Sequence, residues 1–436
     1  MTGTFAESKS LSLLLPAAAA VCHPSGCSKK MEIGFLFNHD GAHQVAHSAP
    51  IAFAFARRYP EVATTIVTSS EAERIAVDTL SAGLGGDLCR RQAIGMSGVQ
   101  RFVEHWARSL SPYKRLAMLR NNLETLARFD ALVVPEKTSL LLKRRFGLAD
   151  LKLIHTRHGA GDRAVGFNDE SGAFDFVLLP GRKIRDRLLK AGLLRTDAYA
   201  IVGYPKFDTI ARGAQPKLFA NDKPVVLYNP HFDPRLSSWY AMGREVLRFF
   251  RDHDDYNLVF APHVMLFKRR LHIAAEDLRA RLRRGIPKGV ARCRHILVDT
   301  GSAASCDMTY SLAAHIYLGD VSSQVYEFLI RPRPCVFLDA HGAAWRRDPS
   351  YVSWRFGPVI DRVSELDRAL AHARRSHAAF RAAQEAMFAY TFDLTTTSSS
   401  VRAADAIAAF LGLGTFAQDI SFDEEAGAVM PSTVGE

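Results

Sequence analysis

The residues that could do chemistry in this chain gather where short apolar runs give way to polar loops. In IHTRHGAGDRAVGF (residues 154–167) two histidines, two arginines and an aspartate surround a Gly-Ala-Gly turn. Gly159 and Gly161 would let the backbone bend closely around a ligand. Arg157 and Arg163 would neutralise phosphate. His158 stands where a hydroxyl can be deprotonated, and a neighbouring cation favours its basic form. His155, at the strand end, reads as structural. In GDVSSQVYEFL (319–329) Asp320 closes a strand and Ser322 and Ser323 open a helix. A helix start offers unpaired N–H groups and the positive end of its dipole to a phosphate. The competing reading is that Asp and Ser simply cap the helix. Glu327, one turn on, either accepts from ribose hydroxyls or is a solvated helix residue. His231 in YNPHFDP and His263 in FAPHVML each follow a proline at a strand end. A histidine there serves as a general base or a phosphate ligand, or is an ordinary loop residue. Taken together, these strand ends suit an anionic ligand and a proton-transfer step.

Other motifs are weaker. VGYPKFD (202–208) reads as a structural turn, with Asp208 a candidate cap for the next helix. NHDGAHQVAH (38–47) carries His39, His43 and His47, which lack a carboxylate at a known metal spacing and better suit a wall of the site touching an acceptor. The basic stretch FKRRLH…RARLRRGIPK (267–288) is either a solvated helix face or a contact for an acidic polymer or membrane. No zinc finger, RNA-binding signature or phosphate-binding P-loop is present, and GLGG (83–86) is only a loop.

The elements that must position these residues alternate. MEIGFLF (31–37), ATTIVTS (63–69), ALVVP (131–135), LKLIH (151–155), FDFVLLP (174–180) and AYAIVG (198–203) are apolar, strand-like runs with helical segments between them. The pattern restarts after RGAQPKLFANDKP (212–224) with PVVLYNP, YNLVFAP, RHILVD, AHIYLGD and PCVFLD. Helices are expected at 236–253, 265–284, 363–390 and 403–413. Near-continuous apolar strands separated by helices predict parallel sheets covered on both faces, that is, an α/β chain of two Rossmann-like domains facing an interdomain cleft. The expected boundaries are a disordered or overextended start at 1–30, an N-terminal acceptor domain at 31–215, a C-terminal nucleotide-donor domain at 222–392, a helix at 398–414 and an acidic tail at 415–436. Ligands of such sheets bind beyond the carboxyl ends of the strands, where the polar motifs fall.

Composition agrees with a folded protein: 436 residues are 48% hydrophobic and 23% charged. An excess of 56 Lys and Arg over 45 Asp and Glu favours anionic partners. Six dispersed cysteines form neither a disulfide framework nor a metal pattern, and suit a reducing cytoplasm. The run LSLLLPAAAAV before Cys22 is split by Pro16 and lacks a strong basic flank, so export is not expected. No cofactor or metal is called for, and no nucleic-acid partner.

The order RHGAGDR, GYPKFD, LYNPHFD, APH and GDVSSQVYEFLIRPRPCVFLD resembles the CDP-glycerol:glycerophosphotransferase family, the teichoic-acid and capsule polymerases, over roughly residues 150–340. The resemblance implies a GT-B-like fold and a transferase that moves glycerol phosphate, or a related polyol phosphate, from a CDP-linked donor. The acceptor would be a hydroxyl of an anionic or lipid-linked glycan. The place of work would be the cytoplasm and the inner face of an acidic membrane. It makes His158 and His263 catalytic candidates. Ser322 and Ser323, after Asp320, would contact donor phosphate. Arg163 would replace a family lysine, and Lys206-Phe207 and Val321 depart from the family pattern. A sugar transferase of the same fold, or a non-catalytic binding protein, are the alternatives.

Overall fold

A computed structural model describes residues 12–14, 30–38, 42–96, 111–157, 159–163, 167–210, 217–274 and 277–419. They form two compact units, each built on its own parallel sheet. The first unit comprises residues 1–157, 169–208 and 393–436; the second comprises 158–168 and 209–392.

The main sheet of the first unit has seven strands: β1 (Glu32–Phe37), β2 (Ala63–Thr68), β3 (Arg90–Ala93), β4 (Ala131–Val134), β5 (Lys152–Thr156), β6 (Phe176–Leu179) and β7 (Tyr199–Ile201). Their spatial order is β3-β2-β1-β4-β5-β6-β7, all parallel. β2 and β4 are buried along their whole length, as strands of a parallel sheet covered by helices are. Helix Val45–Arg58 buries an Ile-Ala-Phe-Ala-Phe run, and helix Ser399–Phe410 joins the same core through Ala403, Ala404 and Ile407. Asp208 is a helix cap, but for a helix nearly two hundred residues away. Its carboxylate accepts from the backbone N–H groups of Ser399 and Ser400. Gly203, at φ +83°, sits where a Cβ would fall 2.4 Å from Ser399 Oγ, so the turn after β7 and the C-terminal helix close on each other.

The second unit carries β8 (Val225–Asn229), β9 (Asn257–Phe260), a hairpin of β10 (Leu271–Ile273) and β11 (Ala280–Leu282), then β12 (Ile296–Val298), β13 (Ile316–Gly319), β14 (Cys335–Leu338) and β15 (Val359–Ile360). Its main sheet runs β12-β9-β8-β13-β14-β15, again wholly parallel. The chain starts at β8, winds outward through β9 to β12, then returns to β13 on the other side. The order therefore reverses between β8 and β13, the position where open α/β sheets bind ligands. Cys335 is fully buried in β14, the small core residue expected.

One expected element is different. The basic stretch 265–284 is not a continuous helix: a single turn, Met265–Lys268, gives way to the β10–β11 hairpin. Leu271, His272 and Ile273 alternate between exposed and buried, a period of two that no helix can satisfy. The segment 363–390 is two helices, Leu366–Arg375 and His377–Thr391. Ser12–Leu14 forms a short strand antiparallel to Ala417–Asp419; the expectations for the rest of the chain start up to residue 29, for His39 and for the acidic tail beyond 419 lie outside the described residues. Among the described residues no helix is long and apolar enough to cross a membrane.

Candidate functional site

The sheet register of the second unit decides which residues meet. Tyr228 pairs with Phe260 on one side and Leu318 on the other, and Asn229 lies level with Gly319. The loops that begin at Pro230, Ala261 and Asp320 therefore leave one edge of the sheet at one level. His231, His263 and the Ser322-Ser323 turn come together for that reason, although up to 92 residues of chain separate them.

Asp320 organises this edge. It is 0% exposed, and its carboxylate accepts from the His231 N–H at 3.0 Å and from the Ser238 N–H and hydroxyl at 2.6 and 2.9 Å. Burial raises its pKa to about 6 against the pull of those hydrogen bonds. These hydrogen bonds all run to the His231 loop and Ser238, so Asp320 positions that loop. Asn229 ties two further loops to the same edge. Its amide donates to the Ala261 carbonyl and its oxygen accepts from Ser322 Oγ at 3.3 Å.

Residues 159–163 belong to this unit and lie on the Ser322-Ser323 turn. A Cβ on Gly159, at φ +75°, would be 3.3 Å from Ser323 Oγ, and one on Gly161 would be 3.1 Å from Ser323 Cβ. The two glycines thus let the loop pack on the serines, a structural use beside the ligand role expected of them. The Tyr326 hydroxyl donates to the Asp162 carboxylate, and both residues are buried. Neither stands out in the sequence; Tyr326 reads there only as apolar bulk, and no local signal announces a partner 164 residues away. His158 itself lies outside the described residues.

Arg163 is delivered to His231. Its Nη1 stands 2.9 Å from His231 Nε2, and its Nη2 is 3.4 Å from Asp233 Oδ2. The other ring nitrogen, Nδ1, accepts from the Asp233 N–H at 3.0 Å. A guanidinium and a backbone amide can only donate, whereas a neutral imidazole has one lone pair. His231 thus cannot accept from both donors. Its pKa is held well below the usual value, first by burial and then by the charges of Arg163 and His263, so charging the ring does not relieve the conflict. An acceptor oxygen against Arg163 and a protonated Nε2 would. The His263 ring packs 5.2 Å from His231, with its Nδ1 accepting from the Met265 N–H.

The rest of the expected set is placed as follows. Ser322 is buried and caps Gln324; Ser323 precedes helix Gln324–Phe328, a single turn whose dipole is correspondingly small. Glu327 is 5% exposed, so the solvated reading is excluded. Arg157 belongs to the first unit, where it lines a small cavity with His47, Thr156, Gly203 and Pro205. Burial, then the nearby Arg187, lowers its pKa to about 10. His47 is buried with its ring edge against Tyr204, and His155 stacks on Phe174, the core role expected. Among the described residues no cluster of His, Cys, Asp and Glu could hold a metal ion.

This architecture is shared with solved GT-B-like enzymes. A putative UDP-N-acetylglucosamine 2-epimerase from Listeria monocytogenes aligns over 88% of this chain and 97% of its own, at TM-score 0.59 and 12% identity. A variant of the wall teichoic acid polymerase TagF, soaked with CDPG, aligns over 88% of each chain at TM-score 0.54 and 14% identity. The S. aureus MnaA–UDP complex aligns over 88% and 97% at TM-score 0.56 and 12% identity. No protein-family model matches the chain, and no curated protein matches it in sequence. The class defined is therefore the fold: α/β, GT-B-like, with two parallel-sheet domains.

Proposed function

We propose that the chain is a transferase using a nucleotide-activated donor whose phosphates bind at the β8–β13 edge of the second unit. The observation that carries this is the His231 conflict, two obligate donors facing an imidazole that can accept only one of them. A phosphoryl oxygen accepts from Arg163 and His231 Nε2–H together, with the Ser323 hydroxyl and the ring of His263 on the neighbouring loops. Preformed donors aimed at phosphate oxygens are the main catalytic device in phosphoryl transfer.

The donor best supported by the motif order and by the TagF likeness is CDP-glycerol or a related CDP-polyol. The acceptor hydroxyl, on a cell-surface or lipid-linked polymer, attacks the β-phosphorus. An O–P bond forms and the bond to the bridging oxygen breaks, so CMP leaves. His158, adjoining the loop packed on the serines, takes the hydroxyl proton. A second reading, a UDP-sugar enzyme, draws on the two UDP-related neighbours and places attack at an anomeric carbon.

Thermal shift with CDP-glycerol, UDP-N-acetylglucosamine and GDP- or CMP-linked sugars separates these, since a ligand of the native state raises the melting temperature. Stabilisation by UDP-sugars alone overturns the CDP-polyol assignment. His158→Ala is expected to abolish donor turnover while leaving the shift intact; unchanged turnover removes His158 from catalysis.

A further inference from the structure

The β10–β11 hairpin presents an apolar face that nothing in its own unit covers. Of the seven large hydrophobic side chains that stand exposed among the described residues, four are here: Leu271 at 54%, Ile273 at 58%, Leu278 at 75% and Leu282 at 69%. The register explains how they assemble. Leu271 pairs directly with Leu282 and Ile273 with Ala280, so these four point to one side of the ribbon, while His272 and Arg281 occupy the other. Leu278 lies in the segment between the two strands, two residues before β11.

The hairpin is held firmly from behind. His272 is buried, and its Nε2 lies 3.0 and 3.1 Å from the carbonyls of Leu266 and Arg269. The Arg283 guanidinium stacks over Phe267 at 4.2 Å, and the ladder continues through the Arg283 N–H to the Arg270 carbonyl. A ribbon anchored on one side that exposes leucines on the other is not a flexible surface loop. Such a face calls for an occupant.

Charge says which. Lys268, Arg269, Arg270, Arg279, Arg281, Arg283 and Arg284 lie along the same stretch of chain as the leucines, against Glu276 and Asp277 alone. All but Arg283 of those cations are exposed. A second copy meeting this face across a two-fold axis would bring like charges together, and the whole chain is already at +11. A surface that accepts apolar side chains and carries dense negative charge satisfies both halves of the ribbon.

We propose that the β10–β11 hairpin docks the protein on anionic phospholipid bilayers, with Leu271, Ile273, Leu278 and Leu282 entering the acyl boundary and the flanking arginines meeting headgroup phosphates. The inference is independent of the donor assignment. It is tested by sedimenting the full chain with phosphatidylcholine vesicles carrying roughly one-third phosphatidylglycerol, and with phosphatidylcholine alone, at about 0.1 M salt. Binding to the anionic vesicles is expected to exceed that to neutral ones by at least about tenfold and to weaken at high salt. The L271S/I273S/L282S variant should bind at least about tenfold more weakly. R279Q/R281Q should lose about fivefold per cation removed. Neither should change the melting temperature or the donor-induced shift, since all five side chains are exposed. R144Q/R145Q, an exposed basic pair of the first unit, should bind like wild type. Equal binding by wild type and the serine variant overturns the proposal. So does an equal loss in R144Q/R145Q, which would reduce the effect to net charge. A self-association that the serine variant abolishes, without vesicle binding by wild type, would assign the face to a second copy instead.

Discussion

Replacing Asp320 by alanine removes the acceptor that ties the His231 loop to Ser238. Three buried donors, the His231 and Ser238 N–H groups and the Ser238 hydroxyl, would lose their partner. At about 2 kcal/mol for each orphaned donor the loss is about 6 kcal/mol. Relief of the buried charge opposes it. A carboxyl whose pKa rises from 3.8 to about 6 on folding costs about 3 kcal/mol when ionised. The net expectation near pH 7.5 is a destabilisation of about 3 kcal/mol, a fall of roughly 6–12 °C for a unit of this size. The pH dependence carries the sharper signature. Because the folded pKa is raised, the stability that the protonated group contributes is complete below pH 3.8 and is lost as pH rises through about 6. Wild type therefore gains about 1–2 kcal/mol relative to the variant on going from pH 7.5 to 5. Urea unfolding followed by tryptophan fluorescence reads both numbers, since Trp239, adjacent to Ser238, Trp345 and Trp354 all lie in the second unit. A D320A protein within about 1 kcal/mol of wild type at pH 7.5 would refute the clamp. A gap that narrows towards pH 5 would refute the raised pKa.

Arg163→Gln is expected to weaken donor binding about 10- to 100-fold, the worth of a charge-assisted hydrogen bond, in isothermal titration. His231→Gln is expected to weaken donor binding too, and wild-type affinity should stay flat from about pH 7.5 to 6, because a bound phosphate takes the neutral Nε2–H tautomer while Nδ1 still accepts from the Asp233 N–H. The stability of the free protein does depend on pH: the depressed histidine contributes stability present above about pH 6.5 and lost as pH falls below it. Gly161→Val would drive side-chain atoms into Ser323, so it should cut turnover while leaving the first unit's melting unchanged. In the first unit, Asp208→Ala should cost about 1 kcal/mol through the uncapped C-terminal helix, measured by urea unfolding.

The strand ladder is legible in the sequence because strands of a parallel sheet are buried on both faces and read as unbroken apolar runs. VVLYN, NLVF and IYLG each announce themselves, and so do the polar residues that follow them. The hairpin at 271–282 is not legible, because its arginine-rich composition suits a solvated helix. Only the alternation across a pair of strands, visible once Leu271 faces Leu282, shows the two sides. Asp320 and Tyr326 read locally as a cap or ligand and as apolar bulk. Their partners lie 89 and 164 residues away in the chain, so no local pattern could identify them.

By itself, then, the sequence determined the alternation of strands and helices, the two-domain class and the set of polar loops at strand ends, since these follow from hydrophobic periodicity along the chain. The tertiary structure decided what each polar residue faces. It turned Asp320 inward, buried Glu327, laid Gly159 and Gly161 on Ser323 and brought Arg163 within 2.9 Å of His231. Hydrogen-bond direction and burial depend on sheet order and register, which are properties of pairs of distant segments. The Gly-Ala-Gly loop shows the consequence, because it is a packed part of the second unit before it can be anything else.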